Sequence, residues 1–170
     1  SYFLFSTTEE PLPSFIGRWS DHGLLGVALA LGASPDGALA RIDPPTDLVA
    51  VVAVPDFSLR TSVARQVLPE RIDRADAVFN MGRVGLLVAA FMRGDYDLLR
   101  QGMRDRLHQP QREALVPGMA AVLQAALEAG ALGAVLSGAG PTLLALVQQG
   151  QQAVAQAMRE TWANEGVEAR

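Results

Sequence analysis

Apolar and polar positions change period several times along this chain, and each change marks a different element. Leu48 to Val54 is an unbroken apolar and β-branched run stopped by Pro55, the pattern of a buried strand. After it the period lengthens. Thr61 to Leu68 fits a short helix, and Asp73 to Arg93 a long one with Val78, Phe79, Gly82, Leu86 and Ala89 along one side and Gly94 as its stop. Tyr96 to Leu107 is a further helical stretch, ended by Pro110. Met119, Val122, Leu123, Ala126 and Leu127 then fall at i, i+3, i+4, i+7 and i+8 up to Gly130, which predicts an amphipathic helix. Gly133 to Leu136 and Thr142 to Val147 are two short apolar strands around a glycine turn. Helical spacing returns with Val154, Ala157, Met158, Thr161 and Trp162, and Gly166 opens a last strand that stops at Arg170.

From Leu48 onward the order is therefore strand, helices, strand, strand, helix, strand. That is the ferredoxin-like split βαβ pattern, an α+β fold with an antiparallel sheet and helices on one face. Upstream, residues 1–22 start aromatic and are then broken by Pro11, Pro13 and Gly17 without a sustained period, so they are expected to be an irregular tail. Gly23 to Leu31 is apolar, Ser34-Pro35-Asp36-Gly37 supplies turn chemistry, and Ala38 to Ile42 can return beside it, which predicts a hairpin over 23–42. Residues 23–170 are assigned to one domain.

Composition narrows the chemistry. At 170 residues and 49% hydrophobic the chain has material for one core. A formal net charge of -4 with no basic run excludes the electrostatics of nucleic-acid or anionic-membrane binding. The apolar stretches Leu24 to Leu31 and Leu86 to Met92 are short of the roughly 20 residues that span a bilayer. There is no cysteine, so thiol catalysis, disulfides and thiolate metal sites are excluded. All fourteen basic residues are arginine; without lysine the chain makes neither a Schiff base nor a Walker-type phosphate contact.

Three segments could carry chemistry. Ser137-Gly138-Ala139-Gly140-Pro141-Thr142 has glycines that let an oxyanion approach main-chain N–H groups, although the same residues also make a tight strand-to-strand turn. It matches neither the dinucleotide nor the Walker fingerprint. In Asp105-Arg106-Leu107-His108-Gln109-Pro110-Gln111-Arg112, Arg112 beside a proline-stiffened turn either suits bidentate pairing with a carboxylate or phosphate or simply faces water. His108, without a metal-spacing partner, is more often a cap or a surface residue than a base. Thr61-Ser62-Val63-Ala64-Arg65 follows the first strand, where a helix start commonly meets a ligand or is simply capped. Asp76 and Asn80 lie one turn apart and could bind a polar substrate or each other.

Taken together, VAVVAVPDFSLRTSVARQVLP, RADAVFN, GDYDLLRQGMRDRLHQPQR, LVPG and AVLSGAGPT make Leu48 to Val147 resemble the carboxy-terminal domain of the homoserine kinase family, within the GHMP kinase superfamily. SGAGPT resembles the superfamily's third motif, which implies that Ser137 to Thr142 support the ATP phosphate loop. The arginines matching Arg65 and Arg112 are implied to bind the substrate carboxylate. The implied activity is ATP-dependent phosphorylation of the L-homoserine hydroxyl, a step in threonine biosynthesis in the cytoplasm. The family's ATP-cradling loop and Mg²⁺-coordinating acid have no match here, and Gln111 stands where an aromatic is usual. The resemblance thus implies a carboxy-terminal portion, inactive alone, whose 23–42 hairpin is a remnant of the amino-terminal domain. ATP and Mg²⁺ belong to the full-length enzyme, with no catalytic or metal residue in this portion. The expected partners are L-homoserine, ATP and the amino-terminal kinase domain, with self-association through exposed apolar surface or a strand edge. The alternative reading is a non-catalytic ferredoxin-like module that binds amino acids or oligomerises.

Overall fold

Five residues of the first apolar run, Val49–Ala53, form β1. The structure, a computed structural model, describes residues 45–170; the expected tail over 1–22 and hairpin over 23–42 lie outside the described residues. Helices α1 (Thr61–Gln66) and α2 (Arg74–Arg93) follow β1. A 3-10 turn at Tyr96–Leu98 leads into the short helices α3 (Leu99–Gly102) and α4 (Gln109–Arg112). Next come α5 (Met119–Glu128), strands β2 (Gly133–Leu136) and β3 (Leu143–Val147), and α6 (Gln151–Asn164).

The sheet runs β1-β3-β2 with both pairings antiparallel. Val51 faces Ala145, and Val135 faces Leu144. With β3 between β1 and β2, the split βαβ arrangement is present. The last strand is reduced to a short ladder: Val54 and Arg170 exchange N–H···O bonds of 2.8 and 3.0 Å, and the Asp56 N–H donates to Glu168.

Because strand side chains alternate, the two faces collect different residues. One face carries Val51, Ala53, Leu143, Ala145 and Val147 under Val122 and Ala126 of α5 and Val154, Met158 and Trp162 of α6. These are the helical stripes expected from the sequence. The opposite face carries Leu144 and Leu146 under Leu87, Ala90 and Phe91 of α2, with Leu99 and Met103. The expectation of helices on one face describes α5 and α6; α2 and α3 add a layer on the other.

Two readings need correcting in this added layer. The side of α2 that packs is Leu87, Ala90 and Phe91, not the stripe from Val78 to Ala89, and Val78 is 56% exposed. The helix is apolar around most of its circumference, so spacing alone does not select the inward side. By length and composition it is also long enough to cross a membrane, yet it carries Arg83 mid-length and packs Leu87 on the sheet layer. The second correction concerns Tyr96 to Leu107, where regular helix stops at Gly102. Pro110 does not end a helix; it sits in the first turn of α4, where the missing N–H costs no hydrogen bond.

The entry to β1 is pinned by Asp47, which accepts from the Tyr96 hydroxyl at 2.6 Å and from Gln148 at 3.1 Å. Burial and the bond to Asp47 push the Tyr96 phenol up to about 12.

Candidate functional site

The site is assembled around α4, which is only four residues long and so depends on outside support. That support is Asp105. Its carboxylate accepts the backbone N–H groups of Leu107, His108 and Gln109 at 2.8, 2.9 and 2.6 Å, satisfying donors that a helix start leaves unpaired. Asn80 of α2 donates to the same carboxylate at 2.6 Å and accepts from the Arg106 N–H at 3.0 Å. His108 Nδ1 lies 3.5 Å from it. Burial opposes ionisation of Asp105, but hydrogen bonds from His108, Asn80, Gln109 and Leu107 outweigh burial and hold the carboxyl well below the usual carboxylate range.

Gln109 then ties α4 to the sheet: its Oε1 accepts the Leu136 N–H at 2.9 Å, capping an outward-facing amide of edge strand β2. One turn later, Arg112 is buried at 4% exposure, the one charged side chain so buried among the described residues. Its Nε donates to the Ala64 carbonyl of α1 at 3.1 Å, and Nη1 donates to the Gly138 carbonyl at 2.8 Å. A single guanidinium therefore joins α1 to the glycine loop. Arg65, next to Ala64, is exposed.

The loop itself is half-buried throughout Ser137 to Thr142. The Ser137 N–H donates to Thr142 at 2.8 Å and the Gly140 N–H to Ser137 at 2.9 Å. Gly138 and Gly140 have φ of 57° and 86°, in the left-handed region where glycine is favoured. A Cβ at Gly140 would also come within 2.9 Å of Leu136 Cδ1. Among the described residues the N–H groups of Gly138 and Ala139 donate to no backbone carbonyl, which leaves two consecutive main-chain donors beside a buried cation.

Residues 87–164 match a GHMP kinase C-terminal domain, through a family model described as GHMP kinases C terminal. The chain is similar to homoserine kinase of Synechococcus, 52% identical over 134 residues, or 78% of the chain and 44% of the relative. Homoserine kinase of Desulfitobacterium hafniense is 47% identical over 85% of the chain and 49% of its own length. The chain thus spans a little under half the length of these curated relatives. Among solved structures, homoserine kinase from Cytophaga hutchinsonii superimposes with a TM-score of 0.77 at 34% identity, over 81% of this chain and 45% of that one. A mevalonate kinase from L. major shares the fold at a TM-score of 0.51 and 15% identity.

The structure brings together the three segments singled out by sequence: α1, the Asp105 to Arg112 segment and the glycine loop. Asp76 and Asn80 meet the same segment, Asp76 pairing with Arg106 at 3.2 Å and Asn80 with Asp105, so both serve the turn. Asp105 and Gln109 were not among the expected site residues. A signal for them existed: an acid a few residues ahead of a proline is a helix-start signature. No three His, Asp or Glu side chains gather into a metal-binding group among the described residues.

Proposed function

We propose that this chain supplies the substrate-holding half of a homoserine kinase active site, transferring the ATP γ-phosphoryl group to the L-homoserine hydroxyl to give O-phosphohomoserine and ADP. The observation that carries this reading is the Arg112 guanidinium bonded to both Ala64 and Gly138, which places the arginine segment against the glycine loop. The similarity to homoserine kinases at about half identity supports the choice of substrate.

In this reading the exposed Arg65 holds the amino-acid carboxylate. Arg112, expected from the sequence to share that contact, is buried with its Nε and Nη1 donating to Ala64 and Gly138, and it positions the Arg65 helix against the glycine loop. A planar fork fixes a carboxylate in direction as well as position, leaving the far hydroxyl aimed at the phosphate donor. Ser137 to Thr142 brace the phosphate end. Phosphoryl transfer asks for alignment and charge neutralisation more than for a protein nucleophile. ATP and Mg²⁺ supply the phosphoryl group and its counter-charge in the full enzyme, which would work in threonine biosynthesis in the cytoplasm. Along α2, Val78, Met81 and Met92 are 56%, 65% and 71% exposed; this apolar surface supports a docking face for the rest of the kinase.

The test is to join the chain to the amino-terminal half of the Synechococcus homoserine kinase and measure O-phosphohomoserine formation. The chimera is expected to turn over and the chain alone to make no product. Product from the chain alone, or a folded chimera that phosphorylates mevalonate and not homoserine, would overturn the proposal.

A further inference from the structure

Three of the chain's fourteen arginines surround one aromatic ring. The guanidinium carbons of Arg106, Arg83 and Arg104 lie 4.0, 4.5 and 5.4 Å from the Phe79 centroid. Cation–π attraction favours each contact singly, but it does not cancel the repulsion among three like charges in a chain of net charge -4. Among the described residues, Arg106 alone of the three has a carboxylate partner. Asp76 pairs with Arg106 at 3.2 Å, and Asp105 is engaged by three backbone amides, Asn80 and His108.

Arg83 and Arg104 instead share a neutral acceptor. Each Nη1 donates to Gln101 Oε1, both at 3.2 Å, and Arg83 Nη1 also reaches the Gln101 carbonyl at 3.4 Å. Two guanidinium forks converging on one oxygen form the donor pattern that binds an oxyanion, with an amide oxygen standing where a charged one would be bound more strongly. The pair is also pre-positioned. Arg83 is half-buried with its guanidinium carbon 4.5 Å from the ring centroid, and its Nε is buried without a hydrogen-bond acceptor, a donor that the fold leaves unpaired. Gln101 and Arg104 are exposed, which leaves the convergence point open to a ligand.

We propose that Arg83, Arg104 and Gln101 form a binding site for a small oxyanion of the phosphate type, supported by Phe79 and separate from the Arg65 and Arg112 site. On binding, the anion takes the place of Gln101 Oε1 between the two forks, and the Gln101 side-chain amide turns to offer its N–H₂ group. The site adjoins the Asp105 turn through Arg104 and Arg106, the two sequence neighbours of Asp105.

The experiment is a titration of the 170-residue chain, labelled in its arginine side chains, with inorganic phosphate at constant ionic strength, followed by NMR of the Arg Nε–Hε signals; acetate is titrated in parallel. Signals of Arg83 and Arg104 are expected to move on one saturating curve. Arg104→Gln, an exposed change, should weaken the apparent affinity at least tenfold, whereas Arg65→Gln leaves it unchanged. Saturation by phosphate alone, or by phosphate more tightly than acetate, supports the assignment. Absence of saturable movement, movement indifferent to Arg104→Gln, or saturation by acetate alone overturns it.

Discussion

Asp105 fixes the start of α4 with one carboxylate on three backbone amides, and its ionised form is the one the fold binds. Its carboxyl titrates below the unfolded value of about 3.9, so its contribution is complete above that value and is lost as pH falls through the folded-state titration. Asp105→Asn is expected to lower stability at pH 7 by about 1–3 kcal/mol. Urea denaturation should show the gap to the parent chain narrowing below about pH 4; an unchanged gap at pH 3 would contradict the assigned charge state. Arg112 is the second residue on which the site turns. Arg112→Ala removes donors to Ala64 and Gly138 and should cost about 2–4 kcal/mol in the same measurement. Arg112→Lys should recover little of it, because a point charge cannot make both bonds in the fork geometry.

At the scale of elements, close approach decides where a side chain fits. In α3, a Cβ on Gly102 would lie 3.0 Å from the Leu87 backbone N and 3.1 Å from its Cα, whereas one on Gly85, in α2, meets nothing within 4 Å. Gly102→Ala should therefore destabilise by about 1–3 kcal/mol, and Gly85→Ala should stabilise by about 0.5–1 kcal/mol, both read from denaturation midpoints. The same contrast explains what the sequence made legible. Helices α5 and α6 each bury one stripe, Met119, Val122, Ala126 and Val154, Met158, Trp162, so spacing located both helices and their inward faces. In α2, apolar residues surround the helix and its packing partners come from α3 and the sheet, which sequence spacing does not contain. Arg112 was visible as a residue type suited to an anion, while its burial between α1 and the glycine loop depends on three segments far apart in sequence. Asp105 was legible as an acid ahead of Pro110, a helix-start signature, while the convergence of three backbone amides and Asn80 on it depends on the folded turn.

For the whole molecule, two surfaces follow from the two-sided sheet. The face under α5 and α6 is closed by Trp162, whose indole N–H donates to the Pro117 carbonyl at 2.8 Å. The outer side of α2 keeps Val78, Met81 and Met92 exposed, and apolar surface of this kind favours association. The chain alone is expected to self-associate with rising concentration in sedimentation, and Met81→Glu with Met92→Glu to suppress it; a strict monomer at high concentration would contradict this use of α2. The substrate end of the molecule permits a sharper test. In the chimera with the Synechococcus amino-terminal half, Arg65→Ala should raise the KM for homoserine roughly 30–100-fold, the loss of one charge-assisted contact, with the KM for ATP little changed. It should also erase the preference for homoserine over the analogue whose carboxylate is reduced to an alcohol. A homoserine KM that stays at the parent value, with that preference intact, would contradict the assignment of this arginine site to the substrate carboxylate.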